Sequence, residues 1–468
     1  MQFEERAKYL FMKKYYFLAA LIVLIYFSFS FFMASGGVGA DSLSYFGIAS
    51  DLPQLKSNLF PLGFPLLLRF FHLIFQDYFW AGKFLNLAMI LIILIFSYYK
   101  KFYFKETVLL FAGKTLFFSM IYVMSEGPFI FFMYFLIYVF HERFQNRLSS
   151  RKFVLLASLL IFILFTVRYS GIYIYLGIGV FWLMMMLKNK SFVANKDIFL
   201  LLVVSGFAIV SYLAFNHFVY GSFTGENARG MPAQYDALYI LRDILGVTNV
   251  VDPFIGLKPA SNSMVSIGFQ IGLMFLDLLL LLYFIKLVKA KKKFIQMEFH
   301  QFLWIVAGVY TFALFISGIV QQIEEMNVRM LAAANLCLFF SFLLIYFKDL
   351  KSDRFIFRLG FFFLMFLTLY GLKSPSNYFK NRKQIEPQMT KFQHKKFMYN
   401  NETGGEKSLT TYHIPIINKS FKYKHTANQI GDIKHSIAGT INPQIKWLKR
   451  DTIKDKSKVL YTSEIILK

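Results

Sequence analysis

Charge and cysteine are what this chain of 468 residues has least of: 16% of its residues are charged and a single one is cysteine. A soluble domain carries about 25% charged residues, so an ordinary water-facing surface over most of the chain is excluded. The lone Cys337 sits inside an apolar run, which excludes a disulfide framework and a cysteine-held metal and marks it as a packing residue. HExxH, a Walker phosphate loop, GxSxG and paired cysteines are absent too, so soluble-type metalloprotease, ATPase and serine-hydrolase chemistry has no support. Hydrophobic residues are in excess, at 57% of the chain, and 20% are aromatic. Such a chain needs lipid as its solvent. Its net charge of +25 then reads as a topological signal rather than a nucleic-acid footprint, because the basic residues flank long apolar runs.

A helix needs about 20 apolar residues to cross the hydrocarbon core. Runs near that length occur at 15–33, 79–99, 107–123, 127–140, 153–167, 169–187, 198–219, 264–285, 299–320, 330–347 and 355–371. The expected fold is an all-α polytopic membrane protein with about eleven transmembrane helices. A shorter run at 61–75, interrupted by Pro61, Gly63, Pro65, Arg69 and His72, predicts a helix lying at or dipping into the interface. The first run exceeds the roughly 7–15 residues of a signal-peptide core and is followed by many others, which makes it an uncleaved anchor.

Basic residues crowd alternate connections: Arg6 to Lys14, Lys100 to Lys105, Arg143 to Lys152, Lys188 to Lys196, Lys286 to Lys293 and Lys348 to Arg358. The intervening connections hold far fewer, so a cytoplasmic N-terminus follows, in the inner (cytoplasmic) membrane. The alternation works only if 61–75 does not span. An odd number of spans puts 372–468 on the periplasmic or extracellular side. That lysine-rich segment, with strand-like stretches at Tyr412–Ile417 and Lys458–Leu467, is read as a small exported C-terminal domain or tail, and 1–371 as the membrane domain.

The outer connections carry the candidate chemistry. In the first, a helix starts near Asp41 after a glycine-rich break, with Asp41, Tyr45 and Ala49 on one face. Asp41 there is either a helix cap or a functional carboxylate. Glu126 stands at the tip of a tight turn, Arg168 opens another, and Glu324, Glu325 and Arg329 lie at the mouth of a late span. Acids and guanidinium groups at one membrane face suggest an outward-facing polar cleft. The long connection at 220–262 is read as a lid. Lys114 and Asp277, inside spans, either pair with each other or snorkel separately, and His217 is an interfacial anchor.

The pattern Gly39, Asp41, Tyr45, Ala49 followed by Phe60-Pro61-Leu62-Gly63-Phe64-Pro65-Leu66-Leu67-Leu68 resembles the first outer loop of the GT-C membrane glycosyltransferases. Ser125-Glu126-Gly127-Pro128-Phe129, Arg168-Tyr169-Ser170-Gly171 and Asn327-Val328-Arg329-Met330-Leu331 are similar to later elements of that family, in the same order. The resemblance implies transfer of a sugar from a polyprenyl-phosphate-linked donor to a glycan, lipid or protein acceptor at the outer face. It makes Asp41 the general base. Arg329, Arg168 and Lys56 become donor-phosphate ligands, and Tyr45, Glu126 and Glu324 orient the substrates. Nucleic acid is not among the implied partners. Ser42 stands where many relatives have a second acid, and Met330 with alanines replaces an aromatic and prolines. These departures leave metal use and donor type open, so no cofactor is assigned and a divalent metal stays the one candidate. Two other functions fit the composition: a lipid-linked glycan polymerase or ligase, and a transporter or flippase of a lipid-linked or anionic substrate.

Overall fold

The computed structural model describes residues 2–372 except 34–35, 54–57, 191, 193–194, 227–236, 253, 255–262, 294, 321–325 and 349–352, together with strands at 397–398, 410–414 and 419–424. Lys56, Glu324, Glu325 and the stretch 458–467 lie outside the described residues.

Apolar runs become helices because lipid offers no partner to a bare backbone N–H or C=O. In chain order the described helices are α1 Gln2–Phe32, α2 Ala40–Asp51, α3 Gly63–Phe75, α4 Tyr78–Tyr99 and α5 Phe104–Phe111. Then come α6 Lys114–Ile121, α7 Glu126–Phe144, α8 Ser150–Val167, α9 Gly171–Asn189 and α10 Lys196–Tyr220. The last are α11 Ala237–Val247, α12 Met264–Lys291, α13 Met297–Val320, α14 Ala332–Tyr346 and α15 Arg354–Gly371. Seven are long and apolar enough to cross a membrane: Met12–Phe32 of α1, and α4, α8, α9, α10, α12 and α13. The chain is therefore a polytopic helical membrane protein with seven candidate spans among the described residues.

The expected eleven runs divide differently for local reasons. The run 107–123 breaks at Ala112 and Gly113 into two helices of 8 residues each; at about 1.5 Å per residue neither crosses a core of about 30 Å. α14 has only 15 residues yet is buried along most of its length. α7 has the length but ends on His141, Glu142 and Arg143; α15, at 18 residues, opens on Arg354 and Arg358 and is not among the seven. α3, at 13 residues, is too short to span; it buries Phe64, Pro65 and Leu68 and exposes Leu66, Phe70, Leu73 and Ile74, as an interfacial helix does.

The alternate connections gather at two opposite ends of the bundle. At one, Lys14 and Tyr15 of α1 bond to Asp353 before α15, Arg143 of α7 to Asp197 of α10, and Gln145 Nε2 to Gln296 Oε1 at 2.7 Å. At the other, Asn58 Nδ2 donates to Ser222 O at 2.7 Å, Tyr169 OH to Asn58 O at 2.8 Å, and Met326 N to Asp243 at 2.8 Å. His217, expected as an anchor, stacks on Phe223 at this second end.

Within the connection 220–262, read as a lid, residues 243–252 and 254 descend into the bundle, while 227–236, 253 and 255–262 lie outside the described residues. α11 passes into a 3-10 turn at Thr248–Val250, and the Phe254 ring packs on Phe339 and Phe363, near the midpoints of α14 and α15. Non-helical backbone at such depth survives only where protein satisfies it. Asn335 Nδ2 donates to Val250 O at 3.0 Å and to Asn249 O at 3.4 Å, and Phe254 N to Asp252 at 2.7 Å. Lys114 therefore does not pair with Asp277 as the sequence suggested. Its ammonium meets Asn249 Oδ1 at 3.2 Å and Asp252 at 3.8 Å.

Beyond the helices, β1 Phe397–Met398, β2 Thr410–Ile414 and β3 Lys419–Lys424 form a sheet of order β1-β3-β2, with β2 antiparallel and β1 parallel to β3. β2 overlaps the strand expected at Tyr412–Ile417, and its backbone runs beside α2.

Candidate functional site

The site is assembled around the link between α6 and α7. Gly37, at a φ of +74°, accepts a hydrogen bond from Val123 N at 2.9 Å, and a Cβ there would come within 2.6 Å of Ile121 O. Only glycine fits so close an approach in the left-handed region. Two residues later Gly39 packs on Met124 with no room for a side chain, and its amide donates to Ser42 Oγ at 3.0 Å to start α2. α2 thereby starts against Met124, and its next turn reaches Ser125 through Tyr45.

Asp41 is not the helix cap; Gly39 holds that position and Asp41 lies exposed in the first turn. The negative side chain there faces the positive end of the helix. Tyr45, one turn further along the same face, is buried between Phe60 and Phe64, and its hydroxyl donates to Ser125 Oγ at 2.7 Å. Arg168, in the turn between α8 and α9, donates to the same Ser125 Oγ at 3.1 Å and pairs with Glu126 at 2.9 Å. Arg329, just before α14, contacts Met124 Sδ and lies over the Tyr122 ring, 5.4 Å from its centroid. Glu126 is within electrostatic reach of both guanidinium groups, and Tyr45 of Asp41.

Of the residues singled out from the sequence, Tyr45, Glu126 and Arg168 thus form one network, Arg329 stands against its rim, and Asp41 heads the helix that enters it. Sequence reasoning missed Ser125 as the hub, although a small hydroxyl before an acid in a tight turn was a signal. It also missed Tyr310 on α13, whose hydroxyl donates to Met330 O at 3.2 Å beside Arg168; nothing in its local sequence marks it.

Among the described residues two guanidinium groups, Arg168 paired with the buried Glu126 and Arg329 within its electrostatic reach, converge on one turn, an arrangement suited to an anion. Guanidinium forks match phosphate oxygens in particular. For a metal the residues fit poorly: Glu126 is engaged by Arg168, and among the described residues no group of three or more His, Cys, Asp or Glu could hold an ion. The chain matches no protein-family model, no curated protein and no solved structure.

Proposed function

We propose that the protein transfers a sugar from a polyprenyl-phosphate donor to a glycan, lipid or protein acceptor, at the end of the bundle formed by α2 and the 122–126 link. One observation carries the reading: Arg168 and Arg329, from connections far apart in sequence, converge on the same turn as the helix headed by Asp41. The two arginines bind the donor phosphate at headgroup level while its isoprenoid tail stays in lipid. Asp41 takes the proton of the acceptor hydroxyl as its oxygen bonds to the sugar's anomeric carbon. The bond from that carbon to the phosphate oxygen breaks, and polyprenyl phosphate leaves with the electron pair, its charge held by the guanidinium groups. Glu126 orients Arg168. In this reading the basic end of the bundle, with the N-terminus, faces the cytoplasm, and the site faces the periplasm or cell exterior.

The test is a transfer assay with a labelled prenyl-phosphate sugar and membranes containing the full chain. Asp41→Asn is expected to lower transfer on the order of 10²–10⁴-fold without changing abundance; near-normal transfer removes Asp41 as base. Arg329→Ala is expected to weaken donor binding most, and a fall in acceptor affinity alone refutes its role.

A second reading, transport of a lipid-linked or anionic substrate, is favoured by the broken run at Gly113 and the buried Lys114–Asp252 pair, since transporters build sites at broken helices near the midplane. Counterflow in proteoliposomes with no covalent product would establish transport over transfer.

A further inference from the structure

α12 is the least buried candidate span, with 11% of its most apolar window inside the protein. Between it, the segment around Thr248 and α13 lies an apolar crevice of about 610 Å³, walled by Met274, Leu278, Trp304, Phe312 and Phe315. Phe275, Leu279 and Leu282 on the neighbouring faces of α12 are exposed, so the crevice borders the lipid side.

Asp277 lines this crevice. The residue is 3% exposed, and among the described residues neither carboxyl oxygen has a hydrogen-bond partner of good geometry. Thr248 lies beside it, but its hydroxyl donates to Leu245 O at 2.9 Å. The ammonium of Lys114, within electrostatic reach, is 3.8 Å from Asp252 and 3.2 Å from Asn249. A buried polar group without a partner is costly, and in a membrane protein such a residue normally faces a cavity that supplies one.

We propose that the crevice is a binding site for a lipophilic primary ammonium ion, whose charged head pairs with Asp277 and whose hydrocarbon body lies against Met274 and Leu278. Trp304, Phe312 and Phe315 suit that ligand twice over, as apolar walls and as ring faces that attract a cation. The volume falls within the roughly 300–1,000 Å³ of small-molecule sites. A neutral alcohol of the same length fills the same space without supplying the charge. The site is separate from the one around Ser125, and the proposal does not depend on sugar transfer.

Trp304 makes the site observable, as one of four tryptophans in the chain. Purified full-length protein in lipid nanodiscs is titrated with 11-bromoundecylamine and with 11-bromoundecanol. The quenching assigned to Trp304 is read as the difference from a Trp304→Phe variant. The amine is expected to quench at a concentration lower than the alcohol by on the order of 10–100-fold. Asp277→Asn is expected to abolish that preference and Asp277→Glu to keep it. Equal quenching by amine and alcohol in the unaltered protein overturns the proposal, as does a preference that survives Asp277→Asn. If the asparagine variant fails to fold, the comparison of the two probes in the unaltered protein still decides.

Discussion

Lys14 and Arg143 at one end of the bundle and Arg168 and Arg329 at the other all have partners, yet the partners serve different ends. The first two tie helix ends together: Lys14 joins α1 to Asp353 before α15, a carboxylate only 2% exposed that also takes the Tyr15 hydroxyl, and Arg143 joins α7 to Asp197 of α10, with side chains 29% and 23% exposed. Water screens the Arg143–Asp197 pair, which contributes about 0–1 kcal/mol. Arg168 pairs with a Glu126 side chain that is only 9% exposed and shares a serine hydroxyl with a buried tyrosine. Removing one member of a buried pair strands the other, at about 3–5 kcal/mol. Arg143 can be exchanged with little loss, whereas Arg168 and Glu126 depend on one another.

Mutations should separate the two ends in proportion to burial. The largest effect is expected from Glu126→Ala, which leaves Arg168 without its acid and should destabilise by about 3–5 kcal/mol. The double variant Glu126→Ala/Arg168→Ala should recover most of that loss in denaturation measured in one detergent. A double variant as unstable as the sum of the singles would break the comparison. Between the ends, Asn335→Ala should cost about 1–3 kcal/mol, since it removes the donor serving Val250 O and Asn249 O at depth; an unchanged unfolding midpoint would mean the descending segment is held otherwise. At the basic end, Arg143→Ala should change stability by no more than about 1 kcal/mol, and less at high salt.

The smallest effect concerns Glu226, exposed in the loop after α10. Slight burial works against its charged form, but the amides of Thr224 and Phe223 donate to the carboxylate and hold its pKa down at about 2 from an ordinary value of 4.5. A depressed carboxyl stabilises fully above its unfolded value and loses that contribution as pH falls through the folded one. Glu226→Gln and the unaltered protein should therefore show the same pH dependence of unfolding from about pH 5 upward, and diverge only as pH falls towards 2.

How much of this could be read from the sequence varies with how local the cause is. The clustering of alternate connections at two ends follows from the distribution of Lys and Arg, and the placing of Tyr45 below Asp41 follows from helical spacing. Cys337 is buried, as a lone cysteine in an apolar run should be. That α3 is too short to span was legible because its prolines, Arg69 and His72 interrupt a short run. The break at Gly113 was not, because 107–123 is apolar enough to pass for one span. What stabilises the break comes from Asn249 and Asp252, 135 and 138 positions further along the chain. The role of Ser125 was hidden for the same reason: its two partners, Tyr45 and Arg168, reach it from 80 and 43 positions away.

Sugar transfer at the outer face requires Asp41 to lie on the face opposite the basic connections. Cys337→Ala gives a cysteine-free chain in one step, since no other cysteine is present. Single cysteines at Asp41, Glu226, Arg147 and Lys190, all exposed, can then be labelled in intact cells with a membrane-impermeant maleimide. Labelling at 41 and 226 without permeabilisation, and at 147 and 190 only after it, is the predicted result. Labelling of 41 together with 147 would contradict it.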